Sequence, residues 1–142
     1  MENNENLKRI LAIDYGTKRI GIALTDPLIT FSYPFKTILN DGNLQKEFSK
    51  IISEKNVDRI ILGFPVMENG QASNITKLVL KFKKKLEKWF NLQVILQDEN
   101  YTSEMAKQVI LQSVTKKSKR RDKGLIDQNS AAIILQDYLQ SI

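Results

Sequence analysis

The 142-residue sequence contains neither cysteine nor histidine. Their absence removes thiol nucleophiles, Ser-His-Asp triads, His-ligated zinc, iron–sulfur clusters and any disulfide framework. What remains for catalysis is carboxylates, Lys and Arg, hydroxyls, and hard cations with oxygen ligands such as Mg²⁺ or Mn²⁺. No uninterrupted apolar run approaches the ~20 residues that span a bilayer. The polar start, Met1-Glu2-Asn3-Asn4-Glu5-Asn6, lacks the basic-then-apolar order of a signal peptide. The sequence therefore reads as cytoplasmic and soluble, with no membrane partner. It also lacks a Pro/Gly/Ser-rich linker and any internal repeat, so residues 1–142 are expected to form a single domain. Neither G-x-x-x-x-G-K-[ST] nor G-x-G-x-x-G occurs, which disfavours P-loop hydrolysis and Rossmann binding.

Charge is present in excess of one sign: 22 Lys+Arg against 16 Asp+Glu, a net +6. It is concentrated in two segments. Residues 77–88 carry +5 through Lys77, Lys81, Lys83, Lys84, Lys85 and Lys88 against Glu87; residues 116–123 carry +5 through Lys116, Lys117, Lys119, Arg120, Arg121 and Lys123 against Asp122. The remainder is acidic. That distribution suits a polyanion whose reacting phosphate meets a metal held by carboxylates, although Lys-rich solvated surface would look the same.

With 42% hydrophobic residues the chain can build an ordinary core. Leu7–Asp14 and Ile20–Leu24 are apolar runs around the Tyr15-Gly16-Thr17-Lys18 turn, the pattern of a hairpin. A third strand is expected near Phe31–Ile38, at an edge because of Pro34. Leu44, Phe48, Ile51 and Ile52 give helical spacing up to Lys55. Asp58–Phe64 reads as a buried strand, followed by a turn at Asn69-Gly70. Ile75, Leu78, Val79, Phe82, Leu86 and Trp89 then share a helical face, and Val94–Asp98 is another buried strand. Thr102 is placed to cap a further helix. Thr115–Gly124 reads as a basic, mobile loop, a candidate gate to the site, and the last helix as about Ile126–Gln140. Hairpin first, then alternating helix and strand, implies an α/β domain with a mixed sheet and helices on both faces.

Three acidic positions fall where chemistry would be. Asp14 ends the first strand, Asp98-Glu99 ends the Val94-Ile95-Leu96 strand, and Asp127 begins the last helix beside its apolar stripe. There an acid is costly unless paired or metal-bound. The three could converge on one or two divalent cations. Individually, Asp127 could instead cap its helix, Asp14 could be a turn acid, and Asp98 could bond loop amides while Glu99 alone faces the site. Lys18 or Arg19, beside Gly16, could reach a phosphate near such a metal. Lys119, Arg120 and Arg121 add candidate substrate contacts.

Ile13-Asp14-Tyr15-Gly16-Thr17-Lys18-Arg19-Ile20-Gly21-Ile22-Ala23 with Thr25-Asp26 resembles the opening motif of the YqgF family, bacterial pre-16S rRNA nucleases related to RuvC-type Holliday junction resolvases. Gly63-Phe64-Pro65 with Gly70 resembles its G-x-P-x(4)-G loop. Asp98-Glu99-Asn100-Tyr101-Thr102-Ser103 with Ala106 resembles its D-E-R-x-T-[ST]-x-x-A segment. Lys123, Ile126-Asp127 and Ala131-Ala132-Ile133-Ile134-Leu135-Gln136-Asp137-Tyr138-Leu139 resemble its last helix.

The resemblance implies an α/β, ribonuclease H-like fold with a mixed five-stranded sheet flanked by helices. It also implies a nuclease dependent on Mg²⁺ or Mn²⁺, acting in 5′-end processing of pre-16S rRNA, with Asp14, Glu99 and Asp127 as catalytic and metal-binding acids. The expected partner is nucleic acid, pre-rRNA first and branched DNA second, bound by a monomer or homodimer. Departures from the pattern are Asn100 for the usual Arg, Val66-Met67-Glu68-Asn69 for an L-N-x-D form, and Ser130 where RuvC-type resolvases carry a fourth acid. The alternatives are a DNA junction resolvase and a noncatalytic RNA-binding assembly factor. The Asp14-Tyr15-Gly16-Thr17 hairpin also resembles the phosphate loop of sugar kinases and actin-like ATPases, but those clamp ATP between two such domains and 142 residues supply one.

Overall fold

Two apolar runs separated by a tight polar turn fold back on each other. In the computed structural model, which describes residues 7–65, 74–99 and 123–142, β1 (Arg9–Tyr15) and β2 (Arg19–Thr25) pair antiparallel with Asp14 opposite Gly21. Asn40 pins the turn: its side-chain amide donates to the Gly16 carbonyl, and its backbone N–H donates to that of Lys18. The edge strand β3 (Ser32–Leu39) pairs with β2. Ile22 faces Lys36 while Ala23 faces Pro34, so Phe35 is the extra residue of a bulge. The proline, which has no N–H to give the ladder, is accommodated there.

β4 (Val57–Phe64) pairs parallel with β1, and β5 (Gln93–Asp98) parallel with β4, giving the order β3-β2-β1-β4-β5. The helix α1 (Leu44–Lys55) buries Leu44, Phe48 and Ile51, and α2 (Asn74–Phe90) buries Thr76, Val79, Phe82 and Leu86. Asn56, left-handed at φ 56°, ends α1 by donating its N–H to the Ile52 carbonyl.

Strand alternation divides the core in two. Leu11, Ile13, Ile20, Ile22, Leu24, Ile60, Leu62 and Val94 face α1 and α2. Ile10, Ala12, Ala23 and Ile61 face the last helix, α3 (Lys123–Ser141), which buries Ala131, Ile134, Leu135 and Tyr138 against them. Helices thus cover both faces, as the sequence implied.

The start of α3 differs from expectation. The helix begins at Lys123 rather than near Ile126, so Asp127 lies in its second turn and is not an N-terminal cap. Gly124 is a poor helix former, but its carbonyl is tied to β3 by the Thr37 hydroxyl at 2.6 Å, and tertiary contact overrides propensity. The Asn69-Gly70 turn, the helix expected after Thr102 and the basic segment as far as residue 122 lie outside the described residues.

Candidate active site

Along β1, residues 10, 12 and 14 point toward α3; along β5, residues 95 and 97 do the same, and Glu99 follows one step beyond the strand. The Glu99 N–H donates to the Phe64 carbonyl at 3.2 Å, which fixes its backbone against β4. Asp14 and Glu99 therefore meet at the same end and on the same face of the sheet, where their carboxyls hydrogen-bond. Asp98, one residue earlier, is exposed and belongs to the opposite face with Val94 and Leu96. The alternation thus assigns the acidic pair: Glu99 inward, Asp98 outward.

Burial pushes the Asp14 carboxyl well above the usual carboxylate range, reinforced by the negative charges of Glu99 and Asp127 and by its hydrogen bond to Glu99. Burial also raises Glu99, to about 7, although the hydrogen bond from Asp14 works against the rise. Physically, two carboxyls taken out of water against one another retain a proton, with Asp14 as its holder and donor.

Glycine makes room for this pair on both flanks of Asp14. A Cβ on Gly21 of β2 would run into the backbone of Asp127 and Gln128, so bare Gly21 is what lets α3 settle onto the sheet at that point. A Cβ on Gly63 of β4 would overlap the Glu99 carboxyl and Ile134 Cδ1. Neither role emerges from the sequence reading. The available signal was a glycine inside an otherwise apolar strand, which marks a close approach by another chain segment or ligand.

Asp127 reaches the same face from α3 and lies within electrostatic range of Asp14. Its carboxylate accepts a hydrogen bond from Arg19 Nε at 2.9 Å, in a pair that is about one-third exposed on the arginine side (34%) and less on the aspartate side (23%). Arg19, expected as a phosphate contact, is thus also the countercharge of the third acid. Lys18 is exposed at the tip of the β1–β2 turn, next to this pair. Lys119, Arg120 and Arg121 lie outside the described residues. Ser130, one turn beyond Asp127, is buried, and its hydroxyl has no hydrogen-bond partner among the described residues.

Other motif positions are structural. Buried Thr25 accepts the Ile10 N–H through Oγ1 at 3.0 Å. Asp26 accepts the N–H groups of Thr30 and Phe31 and the Thr30 hydroxyl, shaping the loop to β3.

The chemistry of the donor set fits a hard divalent cation: oxygen ligands only, with the Asp14 and Glu99 carboxyls set against one another and the charge of Asp127 nearby. Asp14 and Glu99 are in contact; Asp127 is held by Arg19, and among the described residues no three acidic side chains are gathered as a ready ligand set.

This sheet order, with helices on both faces, defines an α/β fold of the ribonuclease H-like class. The family described as RuvX: Holliday junction resolvase matches residues 8–141, and the chain belongs to it. Relatives bearing the name pre-16S rRNA nuclease include one from Flavobacterium psychrophilum, 39% identical over 134 residues, covering 94% of this chain and 97% of the relative. Another, from Parabacteroides distasonis, is 41% identical over 134 residues, with 94% and 95% covered. Among solved structures, the Fowlpox virus resolvase in complex with Holliday junction DNA superposes with a TM-score of 0.58 at 18% identity, covering 94% of this chain and 97% of the other. RuvC from Thermus thermophilus with a Holliday junction substrate gives 0.57 at 11% identity, with 94% of each chain covered. At such identities the likeness is one of fold. Among the described residues, no helix is long and apolar enough to cross a membrane.

Proposed function

We propose that this chain is a nuclease that hydrolyses RNA phosphodiester bonds in 5′-end processing of pre-16S rRNA, with Asp14, Glu99 and Asp127 as its catalytic and metal-holding acids. Family membership and the names of its relatives support the activity. The observation that carries the site is the half-buried, hydrogen-bonded Asp14–Glu99 pair with Asp127 near it on α3. Asp14 and Glu99 would hold Mg²⁺ or Mn²⁺, joined by Asp127 when its carboxylate leaves Arg19. When bound, the cation supplies an acidified water and charge neutralisation at the scissile phosphate.

The protein's own contribution is placement. Glu99 is fixed by the Phe64 carbonyl, Asp14 by two flanking strands, and Asp127 by the seating of α3 on Gly21. Lys18 and Arg19 offer positive charge to phosphate oxygens at the rim, with Arg19 exchanging a carboxylate for a phosphate, and Lys119, Arg120 and Arg121 are further candidate phosphate contacts by sequence alone. We place the reaction in the cytoplasm, carried out by a single domain spanning residues 1–142 as a monomer or homodimer.

Incubation of purified protein with Mg²⁺ or Mn²⁺, on RNA carrying the 5′ flank of 16S rRNA and on a four-way DNA junction, tests this reading. RNA cleavage that disappears with Asp14→Asn and with EDTA is expected. Cleavage of the junction alone would replace it with a DNA resolvase, and RNA binding without cleavage by an assembly factor.

A further inference from the structure

We propose that the outer face of α2 is a second nucleic-acid contact, a track for the phosphates of RNA flanking the cleavage point; this rests on the reading of the substrate as RNA. Lys77, Lys81, Lys84 and Lys88 follow one another at i, i+4, i+7 and i+11, so they form a single line along the helix, with Lys85 beside it. All five are exposed, and the line runs opposite the side on which Val79, Phe82 and Leu86 are buried. At the helical rise it extends over about 16 Å. The acid of this helix, Glu87, stands off the line and is engaged by Lys83 at 2.9 Å.

An ordinary solvated helix face intersperses acids with lysines three and four residues apart, because such pairs stabilise it and like pairs do the reverse. Here, apart from Glu87, which lies three residues from Lys84 and is engaged by Lys83, no acid stands at those spacings from the line within α2. The mutual repulsion of the lysines is relieved by a polyanion laid along the helix, and the counterions it displaces add to binding.

The location sets what this face can touch. Tyr15, the residue after Asp14, packs its ring on Phe82 with centroids 4.8 Å apart. The helix therefore passes behind the carboxylates, on the other side of the sheet from α3. A strand seated at Asp14 and Glu99 meets the lysine line only by rounding the end of the sheet, so the line serves RNA beyond the cleavage point and not the scissile phosphate.

Lys81→Gln/Lys84→Gln is compared with Lys46→Gln/Lys50→Gln, which removes the same charge from exposed positions on α1. Glutamine keeps helix propensity, and unchanged circular dichroism and melting confirm folding. Binding is measured in EDTA over a salt series, using a long RNA extending beyond the cleavage point on both sides and an oligonucleotide confined to it. With the long RNA, the α2 variant should lower the slope of log affinity against log salt by about 1.4, from roughly 0.7 per phosphate contact in single strands. The α1 variant and the short oligonucleotide should show no change. Equal weakening by both variants, or an unchanged slope for the α2 variant while wild type binds and cuts the RNA, overturns the track and leaves the nuclease reading standing. Binding that depends on α2 with no cleavage of any RNA supports the track and removes the nuclease reading instead.

Discussion

Replacing Glu99 with glutamine should stabilise the metal-free protein at alkaline pH while removing activity. The native Glu99 carboxyl titrates near 7 rather than at 4.5 because burial disfavours its charged form. Between those two pH values the folded state holds a proton that the unfolded chain has released. The stability tied to this proton is full below about pH 4.5 and is lost as the pH rises through 7. At 1.36 kcal/mol for each tenfold change in proton affinity, the loss amounts to about 3 kcal/mol by pH 8. An amide fills the same volume, keeps a hydrogen bond with Asp14 and cannot ionise, so Glu99→Gln should be flatter across this range. Urea unfolding in EDTA at pH 5, 6, 7 and 8 measures the difference. Wild type should lose about 2.5 kcal/mol relative to the variant between pH 5 and 8, and Mg²⁺ should restore part of it at pH 8 by binding the folded state. Parallel profiles would refute the argument, for they would mean that Glu99 is as well solvated folded as unfolded.

The two glycines flanking Asp14 should fail differently. Gly21→Ala forces the α3 backbone to move and should cost about 1–3 kcal/mol or more in thermal or urea unfolding. Gly63→Ala meets the movable end of Glu99, so it should leave melting closer to wild type yet reduce cleavage on the order of a hundredfold by displacing that carboxyl; full activity would mean Glu99 need not sit where it does. Arg19→Gln should raise the Mn²⁺ affinity of the RNA-free protein about tenfold by calorimetry, roughly 1.4 kcal/mol, by releasing Asp127; unchanged or weaker binding would show that the ion pair does not compete with the metal. Thr25→Val should cost about 1–3 kcal/mol by orphaning the Ile10 N–H, with cleavage of RNA unaltered at temperatures where it is folded.

Local signals in the sequence settled the strands and the first two helices because each has an unbroken apolar run or a regular stripe. Leu44, Phe48 and Ile51 mark α1 as clearly in the sequence as in the structure, and Pro34 marks the edge strand. The start of α3 was hidden because Lys123-Gly124 has the composition of a loop, while the Thr37 hydroxyl that bonds the Gly124 carbonyl lies 87 residues away in sequence. Asp14, Glu99 and Asp127 could be picked out singly as acids at the ends of buried elements. That Asp14 bonds Glu99 while Asp127 bonds Arg19 could not, since these partners are 85 and 108 residues apart in sequence and no local pattern encodes their geometry. The assignment of Glu99 over Asp98, by contrast, follows from counting in twos along β5, and only the phase of the strand was missing.

The position of Asp127 in α3 has a consequence for the order of events during synthesis. Asp14 is made early and Glu99 much later, but the third acid arrives only with the helix that also closes one side of the core. Until α3 docks, Ile10, Ala12, Ala23 and Ile61 form an uncovered apolar surface and the acidic pair lacks its counterpart. If Asp14, Glu99 and Asp127 are the catalytic acids proposed above, a growing chain would be both unable to cut and prone to stick, and a single docking step would end both conditions. On that proposal the helix would act as a proofreading mark on its own protein, with cutting possible only in molecules in which α3 has docked.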